Sequence, residues 1–318
     1  MINFEQYTIG VIIPYYNAAK HLENVVNKLP LFISKIIIVD DCGKEPIPES
    51  LVKQSTLSDR IIIVKNEKNL GVGGATKHGF QKAIDLQLDY VIKVDADDQM
   101  DSSYIPELLK PLIENKAEYA KGNRFKDFKA LKQMPFVRKI GNLGLSFLTK
   151  VASGYWNNFD PTNGFFAIKV AVLKQLDFTN IHRDYYFESS LIAELYFQDA
   201  RIKDVPMPAN YGDEKSSMKV WQIPFIFIPK LTKTFLKRIF KSYFIYDFNI
   251  ASVYLLFGFP MFLFGVVYGI YNWVHYASLG EFTPTGTIML ITVSLILGFQ
   301  LLLQAIQYDI LKAPKSAT

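Results

Sequence analysis

The sequence predicts an α/β domain on a mostly parallel sheet, followed by amphipathic interfacial helices and a two-helix transmembrane hairpin. Three observations carry this. Through the first part of the chain, short continuous apolar runs alternate with helical segments, the pattern of strands covered on both faces. Near the other end, Asn249 to Val274 and Phe282 to Tyr308 contain no Asp, Glu, Lys or Arg, and each stretch can cross a hydrocarbon core of about 30 Å. Between these regions, Trp221 to Phe248 interleaves aromatic and aliphatic residues with basic ones, as helices lying in a membrane interface do.

Taken in order, Ile9 to Pro14 reads as a buried strand, Ala18 to Leu29 as a helix, Lys35 to Asp40 as a second strand and Arg60 to Val64 as a third. A helix over Gly74 to Leu86 and a strand over Asp89 to Val94 complete the series. The expected division is a domain over 1–217, juxtamembrane helices over 218–248, and a hairpin over 249–318 with spans at about 249–274 and 283–308. Hydrophobic residues make up 50% of the 318, and the two spans account for the excess over an ordinary soluble chain.

Charge sets the expected orientation. Lys230, Lys233, Lys237, Arg238 and Lys241 precede the first span, Lys312 and Lys315 follow the second, and the loop His275 to Glu281 carries an acid and no base. The positive-inside tendency then puts both termini and the α/β domain on the cytoplasmic side. The amino-terminal residues lack the basic and apolar regions of a signal peptide, and the single Cys42 can form no intrachain disulfide, which agrees with a cytosolic domain. A net charge of +5 with its excess near the first span fits anionic lipid headgroups and not nucleic acid.

The densest chemistry lies at the end of the fourth strand, where Asp95, Asp97 and Asp98 fall within four positions and Gln99 follows. Carboxylates so close repel one another unless a cation neutralises them, and a hard divalent ion with oxygen ligands is the natural partner; a solvated acidic turn is the plainer alternative. In parallel sheets ligands sit beyond the carboxyl ends of the strands. Polar residues gather there four times: Tyr16 and Asn17, Asp40 and Asp41, Asn66 to Gly74, and Asp95 to Gln99. The Gly71-Val72-Gly73 loop lacks the full dinucleotide fingerprint, because position 76 is Thr, and lacks the Gly-Lys pair of a Walker loop. Its small residues read either as a close approach of backbone to a bound diphosphate or as a tight turn into the helix.

Ile13-Pro14-Tyr15-Tyr16-Asn17, Val39-Asp40-Asp41, Asn69 to Ala75 and Asp95-Ala96-Asp97 stand in the order and approximate spacing of family 2 inverting glycosyltransferases. The chain resembles most their polyprenyl-phosphate branch, which includes dolichol-phosphate mannose synthases and bacterial undecaprenyl-phosphate glucosyltransferases. Ala18 and Cys42-Gly43 depart from the usual Glu and Gly-Ser. The resemblance implies a GT-A (nucleotide-diphospho-sugar transferase) fold and a Mg2+ or Mn2+ cofactor held by Asp95, Asp97 and Gln99. It implies a donor, UDP-glucose before other UDP-sugars, bound by Pro14, Tyr16, Asn17, Asp40, Asp41, Asn69, Gly71, Gly73, Asp95 and Ala96. Arg124, Arg138 and Lys215 are implied as phosphate-binding cations, and Asp160 as a residue orienting sugar hydroxyls.

Glu188 falls where many members of the family carry a base. Here the implied acceptor, a polyprenyl (undecaprenyl) phosphate, is already an anionic nucleophile, so proton abstraction is not obligatory and Glu188 reads as base or as positioning group. Two other functions stay open at this level: the same domain with another lipid or cell-envelope acceptor, and a non-catalytic nucleotide-sensing scaffold at the membrane. The broad aromatic interface is also compatible with a homo-oligomer.

Overall fold

A computed structural model describes residues 2–54, 57–126, 136–208 and 223–315. The chain divides into two compact units, Met1–Phe235 with Pro314–Thr318, and Leu236–Ala313.

The first unit is a seven-stranded sheet in the order β3-β2-β1-β4-β6-β5-β7. The strands are β1 (Ile9–Tyr15), β2 (Lys35–Asp40), β3 (Ile61–Lys65), β4 (Tyr90–Lys93), β5 (Tyr119–Asn123), β6 (Phe166–Lys169) and β7 (Ile202–Pro206). β3, β2, β1 and β4 pair in parallel, and so do β5 and β7; only β6 runs against its two neighbours. The helices of this unit are α1 (Ala19–Asn27), α2 (Glu49–Gln54), α3 (Gly71–Asp85), α4 (Ile105–Ile113), α5 (Phe136–Ser153), α6 (Val170–Leu173) and α7 (Phe187–Tyr196), with α5 packed against α7. Because side chains alternate across a strand, Ile36 and Ile38 enter the core on one face while Ile37 and Val39 enter the core on the other. That is why these strands read as unbroken apolar runs rather than alternating ones.

Four of the predicted strands appear within one residue of their expected ends. Helix α3 begins three residues early, at Gly71, for a reason that belongs to the site. β5, β6 and β7 were not among the predicted elements. They are short, and each carries a polar residue whose partner lies elsewhere in the chain: Lys121 of β5, for example, meets Asp204 of β7 at 3.1 Å.

Helix α8 (Ile223–Phe240) follows. Phe227 and Leu231 are buried with Ala152 and Tyr186, whereas Phe225, Ile228, Leu236 and Phe240 are exposed, so the helix leaves an apolar face uncovered by protein. The second unit is dominated by α9 (Ile250–Leu279) and α10 (Thr285–Lys312), two helices long and apolar enough to cross a membrane. Both run past the expected ends. α9 continues through uncharged polar residues to Gly280, which caps it in the left-handed conformation. α10 continues past Tyr308 because Asp309 is buried, accepting hydrogen bonds from Arg238 at 2.6 Å and from the Tyr243 hydroxyl at 2.6 Å.

Candidate active site

The loops after β1, β2, β3 and β4 meet at one rim, as expected, and each is held by a specific contact. Asn17, in the left-handed conformation, accepts hydrogen bonds through Oδ1 from the amides of Lys44 and Glu45 at 2.7 and 3.2 Å, fastening the first loop to the second. Asp41 is buried and accepts from Asn66 Nδ2 at 2.7 Å and from the amides of Leu70 and Gly71 at 2.8 Å each. It therefore acts as the anionic cap of α3, and this starts the helix at Gly71.

The glycine loop has a packing role. The amides of Gly73 and Gly74 donate to the carbonyl of Arg183 at 2.9 and 3.2 Å. A Cβ at position 73 would lie 2.7 Å from both the His182 carbonyl and Phe187 Cβ. Gly73 thus lets the segment before α7 pack against α3. The amides of Gly71, Gly73 and Gly74 are taken by Asp41 and Arg183, and Gly71 lines the larger cavity of the rim. Asp40 closes β2, and its Oδ1 is buried with no hydrogen-bond partner among the described residues.

Among the described residues, two cavities open at the rim. The larger, about 600 Å³, is lined by Pro14, Tyr16, Asn17, Asp41, Asn69, Gly71, Asp95, Ala96 and Asp97, joined by Asp184 and Tyr185 from the segment before α7. The smaller, about 160 Å³, is lined by Asp95, Asp97, Gln99 and Arg124, with Thr162, Asn163 and Gly164. Asp95 and Asp97 belong to both and mark their junction. The turn that presents them is closed locally: Asp97 Oδ1 accepts from the Gln99 amide at 3.1 Å, and Asp98, in the left-handed conformation, turns away to pair with Lys28 at 2.7 Å.

Charge on the β4–β6 side is paired within the protein. Arg124 meets Asp160 through two parallel bonds of 2.8 and 2.7 Å, the strongest geometry open to a guanidinium. Burial opposes ionisation of Asp160, yet the hydrogen bonds and charge of Arg124 hold its carboxyl below the usual range. Asp160 thus orients Arg124. Lys93, a lysine within the apolar strand β4, places Nζ 2.6 Å from Asp95 and 3.5 Å from Glu188. Burial works against its charge, but the two carboxylates outweigh that and hold the ammonium above its ordinary value. Glu188, in the first turn of α7, is pushed up by burial, with Lys93 opposing and the neighbouring Asp95 adding to the rise. It does not line either cavity.

The Arg138 side chain and Lys215 lie outside the described residues. Sequence reasoning missed Lys93, Asp184 and Tyr185 as residues of the site. A single charge inside an otherwise apolar strand, immediately before the acidic turn, was the available signal for Lys93.

The donor set suits a hard divalent cation: the carboxylates of Asp95, Asp97 and Asp101 and the carboxamide of Gln99 line the smaller cavity. Among the described residues no three of His, Cys, Asp and Glu converge into a complete cage, so such an ion would share its shell with substrate oxygens and water, as Mg2+ commonly does.

Solved structures of glucosyl-3-phosphoglycerate synthase from Mycobacterium tuberculosis share the fold. The UDP complex has a TM-score of 0.54 at 17% identity, covering 73% of this chain and 80% of that one. The complex with Mn2+, UDP-glucose and phosphoglyceric acid has a TM-score of 0.52 at 16% identity, covering 73% and 79%. The first unit therefore has a GT-A-like fold. The profile of glycosyl transferase family 2 matches residues 10–177, and the chain belongs to that family. A UDP-N-acetylglucosamine–dolichyl-phosphate N-acetylglucosaminyltransferase of Methanococcus voltae is 39% identical over 181 residues, 53% of this chain and 72% of its own length. A dolichol-phosphate mannosyltransferase of Pyrococcus furiosus is 26% identical over 211 residues, 64% and 56% respectively.

Proposed function

We propose that this chain transfers a sugar from a UDP-sugar to a polyprenyl phosphate at the cytoplasmic face of a membrane, with inversion at the anomeric carbon. The observation that carries this is the meeting of a large and a small cavity at Asp95 and Asp97, which suits a nucleotide on one side and a sugar on the other. The acceptor is supported by the two dolichyl-phosphate relatives and by two helices able to hold the domain at a lipid surface. Glucose stood first among the sugars in the sequence; N-acetylglucosamine takes its place, because the relative at 39% identity is named for it. In this reading 1–217 is the catalytic domain, 218–248 the interfacial segment and 249–318 the anchor, with both termini cytoplasmic.

In the reaction, a phosphate oxygen of the acceptor forms a bond to the anomeric carbon as the bond from that carbon to the diphosphate oxygen breaks, and UDP leaves with the electron pair. Mg2+ or Mn2+, held by Asp95, Asp97 and Gln99, would supply charge neutralisation for the leaving diphosphate. Arg124, fixed by Asp160, lines the smaller cavity and would offer its positive charge there as negative charge develops on the leaving group. Arg138 and Lys215 are further candidates for phosphate binding. The acceptor phosphate is an anion at neutral pH, so Glu188 need not take a proton; bound to Lys93, it serves as a positioning group.

The test is transfer of labelled sugar from UDP-N-acetylglucosamine, UDP-glucose and other nucleotide sugars to undecaprenyl and dolichyl phosphates, with detergent-purified protein and Mg2+ or Mn2+, against EDTA. A mild-acid-labile lipid formed from UDP-N-acetylglucosamine and lost with EDTA is expected. Metal-dependent nucleotide binding without any lipid product would point to another acceptor or to a sensor.

A further inference from the structure

Helix α5 is amphipathic in the reverse sense of a helix that faces water. Toward the rest of the first unit it turns Ser146, Thr149 and Ser153, all buried, together with Ala152. The hydroxyls gain little there. Thr149 donates to the Leu145 carbonyl of its own helix at 2.9 Å, and Ser146 Oγ is buried with no hydrogen-bond partner among the described residues. Outward it turns Leu143, Phe147 and Leu148, of which Phe147 is 59% exposed. On a helix of 3.6 residues per turn these three cover about 140° of the circumference, the width of an apolar stripe that is normally buried.

The exposure is concentrated. Among the described residues of the first unit, Tyr16 and Tyr185 are exposed in the larger cavity, and Leu31, Ile63 and Phe159 come one each from three separate segments. The remaining exposed large apolar side chains are these three of α5 and Phe225, Ile226 and Ile228 of α8. The two helices are joined at one seam, where Leu145 and Ala152 pack with Phe227 and Leu231. Single exposed apolar residues are normal on a protein surface, whereas such a grouping marks an interaction site.

Charge and continuity indicate what covers it. α5 carries Arg138, Lys139 and Lys150, α8 carries Lys230, Lys233, Lys237 and Arg238, and neither helix contains an acid. Apolar stripes accompanied by bases alone suit an anionic lipid surface, while protein interfaces are depleted in lysine. α8 ends at Phe240, and α9, long and apolar enough to cross a membrane, begins at Ile250.

We propose that α5 is a second interfacial helix, seated through Leu143, Phe147 and Leu148 in a bilayer with anionic headgroups. The inference rests on the membrane placement in the proposed function and not on its chemistry. Held by α8 alone, the first unit could rock about one helix axis. A second line of contact from α5 fixes its tilt, and with it the direction in which the rim faces the lipid.

The test uses the full chain in nanodiscs of phosphatidylglycerol and phosphatidylcholine, with the single cysteine removed by Cys42→Ser and a fluorophore attached at Phe147→Cys. Emission should be quenched by lipids carrying a spin label near the headgroup more than by lipids carrying it at the chain end, as for burial of about 5–10 Å, and should lose quenching by aqueous iodide. Leu143→Cys should behave alike, and it carries the test if Phe147→Cys does not fold. Leu31→Cys, at 74% exposure on the loop before β2, should show the opposite pattern. Iodide access at Phe147→Cys equal to that at Leu31→Cys would overturn the proposal. So would protection from iodide without lipid quenching, which would assign the face to a second copy of the chain or to another protein contact. Phe264→Cys, midway along α9, controls for the membrane placement itself; if it too escapes lipid quenching, that placement fails, and this inference with it.

Discussion

The β1–β3 side and the β4–β6 side of the rim both end in acidic loops, but they hold their acids differently. On the first side Asp41 accepts from Asn66, Leu70 and Gly71, and Asn17 accepts from Lys44 and Glu45, so neutral donors fix backbone shape. On the second side the acids face cations: Asp95 and Glu188 share Lys93, Asp160 holds Arg124, and Asp204 holds Lys121. In the proposed function, the first side would receive a flat, largely neutral base and ribose. The other is a field of charge arranged before any ligand arrives, which is how a site stabilises charge without reorganising during the reaction.

That contrast can be broken at graded cost. Asp97→Ala, at the junction, is expected to lower kcat by about 10²–10³-fold, read in the lipid-product assay; unchanged turnover would remove the metal assignment. Arg124→Ala leaves the buried Asp160 without its fork and should cost about 3 kcal/mol, the lower end for breaking a buried pair because Arg124 is partly exposed. The pair also has a signature in pH. The folded carboxyl lies below its ordinary value, so its stabilisation is whole above about pH 4 and is lost as pH falls through the lower folded value. Denaturant titrations from pH 7 to pH 3 should show that acid-side loss in wild type and a shallower one in Arg124→Ala.

On the neutral side, Asp41→Ala removes an acceptor from three donors and should destabilise the domain by about 2 kcal/mol, while weakening UDP binding through the displaced Asn69 to Gly71 loop. If UDP affinity survives in a folded variant, the loop is not part of the nucleotide wall. The smallest effect belongs to Lys230→Ala. Its partner Asp184 lines the larger cavity, but both groups are partly exposed, and the pair should contribute less than about 1 kcal/mol to the denaturation midpoint.

The neutral side was far more legible in the sequence than the charged one. β1 to β4 are continuous apolar runs whose ends coincide with polar clusters, so strand, rim and candidate residues followed from local pattern alone. Asp41 was visible as an acid at a strand end, but its role was not, because the three groups it receives lie 25 to 30 residues away. The pairing of Arg124 with Asp160 spans 36 residues and that of Lys93 with Glu188 spans 95. Local periodicity carries no information about either partner. The same limit explains α10: a rule that ends a span at its first acid is sound for an isolated helix and fails where the acid has a buried counter-charge.

Arg238 and Asp309 lie 71 residues apart, with both apolar helices between them. At synthesis rates of roughly 5–20 residues per second, several seconds separate the appearance of the arginine from that of the aspartate it meets in the folded protein. The hairpin is thus fastened at its base by its last turn, and substitution of Asp309 should be felt during insertion, as lost yield, before it is felt in any property of the finished protein.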